Sequence, residues 1–110
     1  MDQPTAITAL AALAQDTRMT VFRLLIQAGP RGMTAGDVAV AANAVPSTLS
    51  HHLAMLERAG LITSARAGRS LIYAADYAGT RALLAFLMED CCQGAPEICA
   101  PDPALACAEA

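Results

Sequence analysis

The strongest constraint on this chain is a change of period at Gly60. Before it, apolar residues recur every three or four positions; after it they fall into two short runs, 61–66 and 69–74, partly β-branched or aromatic and parted by Ala67-Gly68. The first pattern makes helices and the second a hairpin with a tight turn. Upstream of the change, Thr34 and Asp37 have the spacing of a capping box ahead of a short helix over 35–42, and Asn43 suits the left-handed residue that ends it. Pro46 fits the first position of the next helix, which carries Leu49, Leu53 and Leu56 on one side and stops at Gly60. Earlier still, Asp16 is expected to cap a helix bearing Val21, Phe22, Leu25 and Ile26 on one stripe, and an alanine-rich helix started by Pro4-Thr5 carries Ile7, Leu10 and Ala14. A last helix is predicted over 77–90, with Leu83, Leu84, Leu87 and Met88 on its apolar strip, before Gly94, Pro96, Pro101 and Pro103 mark an irregular tail.

With 110 residues, 55% of them hydrophobic, the chain has room for one core and not for a multidomain enzyme. Its mean hydropathy of +0.42 comes from alanine. No apolar run approaches the roughly 20 residues of a spanning helix, so no membrane partner is expected. The apolar stretch 6–14 follows Asp2 where an export signal would carry basic residues. The expected compartment is therefore the cytoplasm, where the four cysteines would be reduced thiols. Charge divides the chain further: all seven basic residues are arginines, none beyond Arg81, so residues 1–85 carry +2 and residues 86–110 carry −5. Every cysteine lies in the acidic part. Residues 1–90 are expected to form the folded body and 91–110 a cysteine-bearing tail.

Two helices joined by a turn near Asn43 and followed by a hairpin describe an α+β winged helix-turn-helix with about five helices, whose second motif helix enters the major groove of double-stranded DNA. The exposed face of that helix would carry Ser47, Thr48, Ser50 and His51, short polar groups able to approach base edges and phosphates. Taken alone, such residues more often solvate or cap a helix. Arg66 and Arg69 beside the hairpin turn, placed to reach phosphates or a minor groove, tip the balance toward DNA.

The run Asp16-Thr17-Arg18, the stretch Ser47-Thr48-Leu49-Ser50-His51-His52-Leu53, the segment Leu56-Glu57-Arg58-Ala59-Gly60-Leu61-Ile62 and the run Gly68-Arg69-Ser70-Leu71-Ile72-Tyr73 resemble the ArsR/SmtB metalloregulatory repressors. The resemblance spans about residues 10–92 and implies a homodimeric repressor that leaves its operator when a toxic metal or metalloid binds. It also implies that Ser47, Thr48, Ser50 and His51 face DNA, with Arg66 and Arg69 in the wing. His52 has two readings of equal weight, a phosphate contact or a histidine packed against the body. The strips Ile7, Leu10, Ala14 and Leu83, Leu84, Leu87 are candidates for the dimer interface, with packing inside one chain as the rival explanation.

Two inducer sites used in this family are missing: residues 31–40 hold no cysteine, and both histidines lie in the predicted reading helix rather than the last one. What remains, Cys91, Cys92 and Cys99, is similar to the arsenic-responsive branch with thiols at the end of the last helix. Soft thiolates suit arsenic(III) and antimony(III), and arsenic(III) takes three sulfurs where structural zinc usually takes four ligands. Nearby Glu89, Asp90 and Glu97 keep thiols protonated, which neutral arsenous acid tolerates better than a divalent cation does. Cys107, in a Pro- and Ala-rich end, reads as a bystander. Thiol redox sensing and divalent-metal sensing stay open as alternatives. An enzyme is not expected, since no arginine follows any cysteine and there is neither a glycine-rich phosphate loop nor a paired carboxylate in an apolar setting.

Overall fold

A computed structural model describes residues 1–89. The elements follow as α1 (Gln3–Leu13), α2 (Asp16–Ala28), β1 (Met33–Thr34), α3 (Ala35–Ala42), α4 (Pro46–Arg58), β2 (Ile62–Ala67), β3 (Ser70–Ala75) and α5 (Tyr77–Leu87). Asp90 and the cysteine-bearing tail, with Cys91, Cys92, Cys99 and Cys107, lie outside the described residues.

Local chemistry sets most boundaries. Asp2 caps α1 by accepting from the Thr5 amide at 2.9 Å, and Asp76 caps α5 by accepting from the Gly79 amide at 2.9 Å. Thr34 caps α3 as expected, its hydroxyl oxygen 3.1 Å from the Asp37 amide. Asn43 closes that helix in the left-handed region at φ 52°. The cap of α2 is Gln15 rather than Asp16: the Gln15 side chain accepts from the Arg18 amide at 2.8 Å, and Asp16 sits in the first turn instead. There its carboxylate still favours the positive end of the helix dipole. Helix α5 ends at Leu87 with Met88 as its cap, three residues before the expected stop.

The core runs through the middle of the chain. Val21, Leu25, Val38, Leu49, Leu53, Leu56, Leu61 and Ile62 are its largest fully buried side chains, so α2, α3, α4 and the start of β2 close around one another. Helix α1 faces this core with Ala6, Ala9 and Ala12, and leaves Ile7 56% and Leu10 42% exposed. Ile7 and Leu10 thus point outward and Leu13 packs partly on the core, while alanines let the backbone of α1 come close. In α5, Leu83 is buried in the same core, Leu84 is half-buried, and Leu87 and Met88 are exposed. Leu83 therefore packs within the chain and leaves the candidate dimer strip.

The sheet is antiparallel in the order β1-β3-β2. Its hairpin register pairs Ala67 with Ser70, which places the turn at Gly68-Arg69, one residue beyond the expected Ala67-Gly68. Gly68 has φ +63° while Arg69 stays at negative φ, the pattern of a type II′ turn that requires glycine first and matches the strand twist. Strand β1 was not expected from the sequence; it adds to the hairpin through Met33 opposite Tyr73 and Thr34 opposite Ile72. At the other end, a Cβ on Gly79 would collide with the Gly60 carbonyl oxygen, so only glycine lets the first turn of α5 sit against the end of α4.

Candidate nucleic-acid interface

Helix α4 is divided lengthwise. Leu49, His52, Leu53 and Leu56 form its buried side at the i, i+3, i+4, i+7 spacing of a helix face, and Ser47, Thr48, Ser50 and His51 are all exposed. The structure thus brings four of the expected DNA-facing residues to one polar surface over the first turn and a half of the helix. Pro46 at the start contributes no N–H to be satisfied, and Val45 before it makes no side-chain cap, so the amides of the first turn point outward. Such a helix start favours anions, phosphate among them. The Ser50 hydroxyl donates back to the Pro46 carbonyl at 3.2 Å, which leaves its lone pairs as acceptors for an external donor.

His51 and His52 part company as their helical positions require. Their ring centroids are 5.8 Å apart and the planes tilt by 57°. His51 stays exposed, whereas His52 is 8% exposed with Nδ1 3.2 Å from an Arg18 guanidinium nitrogen. Of the two readings of His52, this burial is the one expected of a histidine packed against the body. Burial first, then the neighbouring Arg18 and His51, hold this imidazole below its ordinary range and so favour its neutral form.

The wing supplies positive charge. Arg66 lies on β2 opposite Leu71, Arg69 occupies the turn, and both are exposed. Behind them, the Ser64 hydroxyl donates to a Glu57 carboxylate oxygen at 2.8 Å, tying the start of the wing to the end of α4. Sequence reasoning missed Arg18, which touches α1 and α4 at once; an arginine in the first turn of a helix carries no sign of so distant a partner. The cysteine cluster lies outside the described residues, and among those residues no group of three or more His, Cys, Asp or Glu could hold a metal. No described helix is long and apolar enough to cross a membrane.

Comparison with known proteins agrees with this geometry. A helix-turn-helix domain family model matches residues 13–65, from the end of α1 into β2. A crystal structure described as a "possible transcriptional regulator for arsenical resistance" is 33% identical, with TM-score 0.63 over 72% of this chain and 79% of that one. An ArsR-like transcriptional regulator from Rhodococcus sp. RHA1 is 22% identical, with TM-score 0.72 over 86% of this chain and 87% of that one. The homodimeric winged helix-turn-helix DNA-binding domain of a possible ArsR-family regulator from Mycobacterium bovis is 23% identical, with TM-score 0.64 over 79% and 81%. No curated protein sequence matches significantly. The polar face of α4, the arginine-bearing wing and these likenesses together lead to one conclusion: the chain belongs to the helix-turn-helix transcriptional regulators, and its winged fold is that of the ArsR-type proteins it resembles.

Proposed function

We propose that this protein is a cytoplasmic homodimer that represses a metalloid-resistance operon and leaves its operator DNA when arsenic(III) binds Cys91, Cys92 and Cys99, with antimony(III) as a second inducer. The observation that carries this reading is the placement of three thiols in the ten residues 90–99, directly after the last helix, in a chain 33% identical to a protein described as a possible regulator for arsenical resistance. The donor set fits: three soft thiolates match the trigonal preference of arsenic(III) and neutralise its charge. Within the body, Ser47, Thr48, Ser50 and His51 read base edges and phosphates while Arg66 and Arg69 hold the backbone. The second copy covers the apolar surface left by α1 and α5, where Ile7, Leu10, Leu87 and Met88 are exposed on neighbouring helices. Release follows from linkage: the ligand favours a dimer geometry that holds the two reading helices less well, and about 1–3 kcal/mol of coupling changes operator affinity about 5- to 150-fold.

Changing any one of Cys91, Cys92 or Cys99 to Ser should leave folding and DNA binding intact and abolish release by arsenite in a gel-shift assay, whereas Cys107→Ser should behave as the wild type. X-ray absorption on the loaded protein should find three sulfur neighbours around arsenic. Release that persists in the triple mutant overturns the assignment; release by peroxide or by zinc in place of arsenite favours the redox or divalent-metal alternative.

A further inference from the structure

Arg18 joins three helices. It stands in the first turn of α2, and its Nε donates to the carbonyl oxygen of Ala12, in the last turn of α1, at 2.6 Å. One terminal guanidinium nitrogen lies 3.2 Å from His52 Nδ1 and 3.4 Å from the Met55 sulfur, both on α4. The end of α1 is the negative end of its dipole and suits a cation. A guanidinium is planar and always charged, so it serves these acceptors in fixed directions as a flexible ammonium does not. Its neighbours on α1 are mostly small: Ala6, Ala9 and Ala12 make the fully buried side of that helix, and Leu13 packs only partly on the core, so interlocking side chains do little to stop α4 from sliding or rolling against it.

We propose that Arg18 is a positioning residue for DNA reading, its guanidinium fixing the tilt and roll of α4 against α1 through His52, Met55 and the Ala12 carbonyl. This rests on the reading that α4 meets DNA and α1 belongs to the dimer surface: the clamp then sets the angle at which each reading helix stands to the dimer axis. The chemistry makes the clamp conditional. Arginine can only donate, so His52 must accept through Nδ1 as a neutral ring with its proton on Nε2. A second proton would set two N–H donors and two positive charges face to face across 3.2 Å. The groups that face His52 offer nothing to offset that charge: Arg18 from α2 and His51 from α4 are basic, and α1 has no ionisable side chain. Of the other elements against α4, α3 has only the exposed Asp37 of its first turn and β2 only Arg66 near the wing tip. Since the folded state favours the neutral ring, the clamp is intact above the ordinary imidazole range and is lost as the pH falls through the lowered folded value.

The test uses the full-length protein and a duplex that the wild type selects from a randomised pool. Arg18→Ala should keep its helical circular dichroism and bind that duplex at least about fivefold more weakly, the lower end of the range for coupled sites. His52→Asn keeps an acceptor near the Nδ1 position and cannot titrate. It should bind like the wild type at about pH 7.5 and lose less affinity than the wild type on acidification to about pH 5. Exposed His51 is common to both proteins and cancels in that comparison. Imidazole nitrogen NMR should find His52 with Nε2 protonated and Nδ1 accepting. Equal acid loss in wild type and His52→Asn, or wild-type affinity in a folded Arg18→Ala, overturns the inference while leaving DNA binding standing. If Arg18→Ala does not fold, the His52→Asn comparison decides alone. A wild type that selects no duplex overturns the DNA reading and this inference with it.

Discussion

Helices α1 and α4 are built to opposite plans. In α4 the large apolar side chains Leu49, Leu53 and Leu56 point inward and small polar ones point outward; in α1 the small Ala6, Ala9 and Ala12 point inward while Ile7 and Leu10 stay in solvent. The first arrangement completes itself inside one chain and leaves a polar face free for an external partner. The second buries little within the chain and keeps its main hydrophobic area for something else, which in this reading is a second copy. Reading and pairing are therefore assigned to different helices, and Arg18 is the side chain that bridges them.

The largest expected effect lies in α4. Leu56→Ala removes a fully buried side chain and should cost about 2–5 kcal/mol of unfolding free energy in a urea titration. A loss well under about 1 kcal/mol would mean that the core is centred elsewhere and would break the comparison. In α1 the matching change at the outer face should act on association instead. Ile7→Ser should leave the unfolding of the separated chain nearly unchanged and weaken the dimer by about 1.5–3 kcal/mol, read by sedimentation over a concentration series. A dimer unaffected by that change would show that the exposed strip faces another partner. The smallest effect belongs to the wing: Arg69→Ala should lower the slope of log affinity against log salt by about 0.9 per protomer, for any DNA sequence, without touching stability or association. An unchanged slope would remove the wing from the interface.

What the sequence made legible was whatever local chemistry decides. Thr34, Asn43 and Pro46 each have a conformational preference strong enough to place the turn between α3 and α4, and the leucine spacing of α4 identified its buried side. Helix α1 was harder because alanine is apolar on every face. The larger Ile7 and Leu10 marked one side of the helix, which is its exposed one, while the inward side is chosen by how closely the backbone must approach. Strand β1 was invisible for another reason: two residues carry no period, and their pairing exists only because β3 passes beside them. The one-residue shift of the wing turn reflects Gly68 taking the first rather than the second central position. In the candidate site, the exposed polar residues of α4 followed from helical geometry alone. The partner of His52 did not, since Arg18 lies 34 residues away in the chain.

The short strand β1 has a mechanical consequence. It leads directly into α3 and is hydrogen-bonded to β3, while Glu57 at the end of α4 holds Ser64 at the root of β2. The two parts that would grip DNA, helix and wing, are thus tied to each other at two points, which resist their opening or closing like a jaw. In the proposed dimer, control over the grip would then come from outside this braced unit, by a change in the distance or the angle between two such units on the same duplex. Phasing then becomes the controlled quantity: half-sites lie on one face of the double helix only at particular spacings, so a small rotation between rigid halves can disengage both at once.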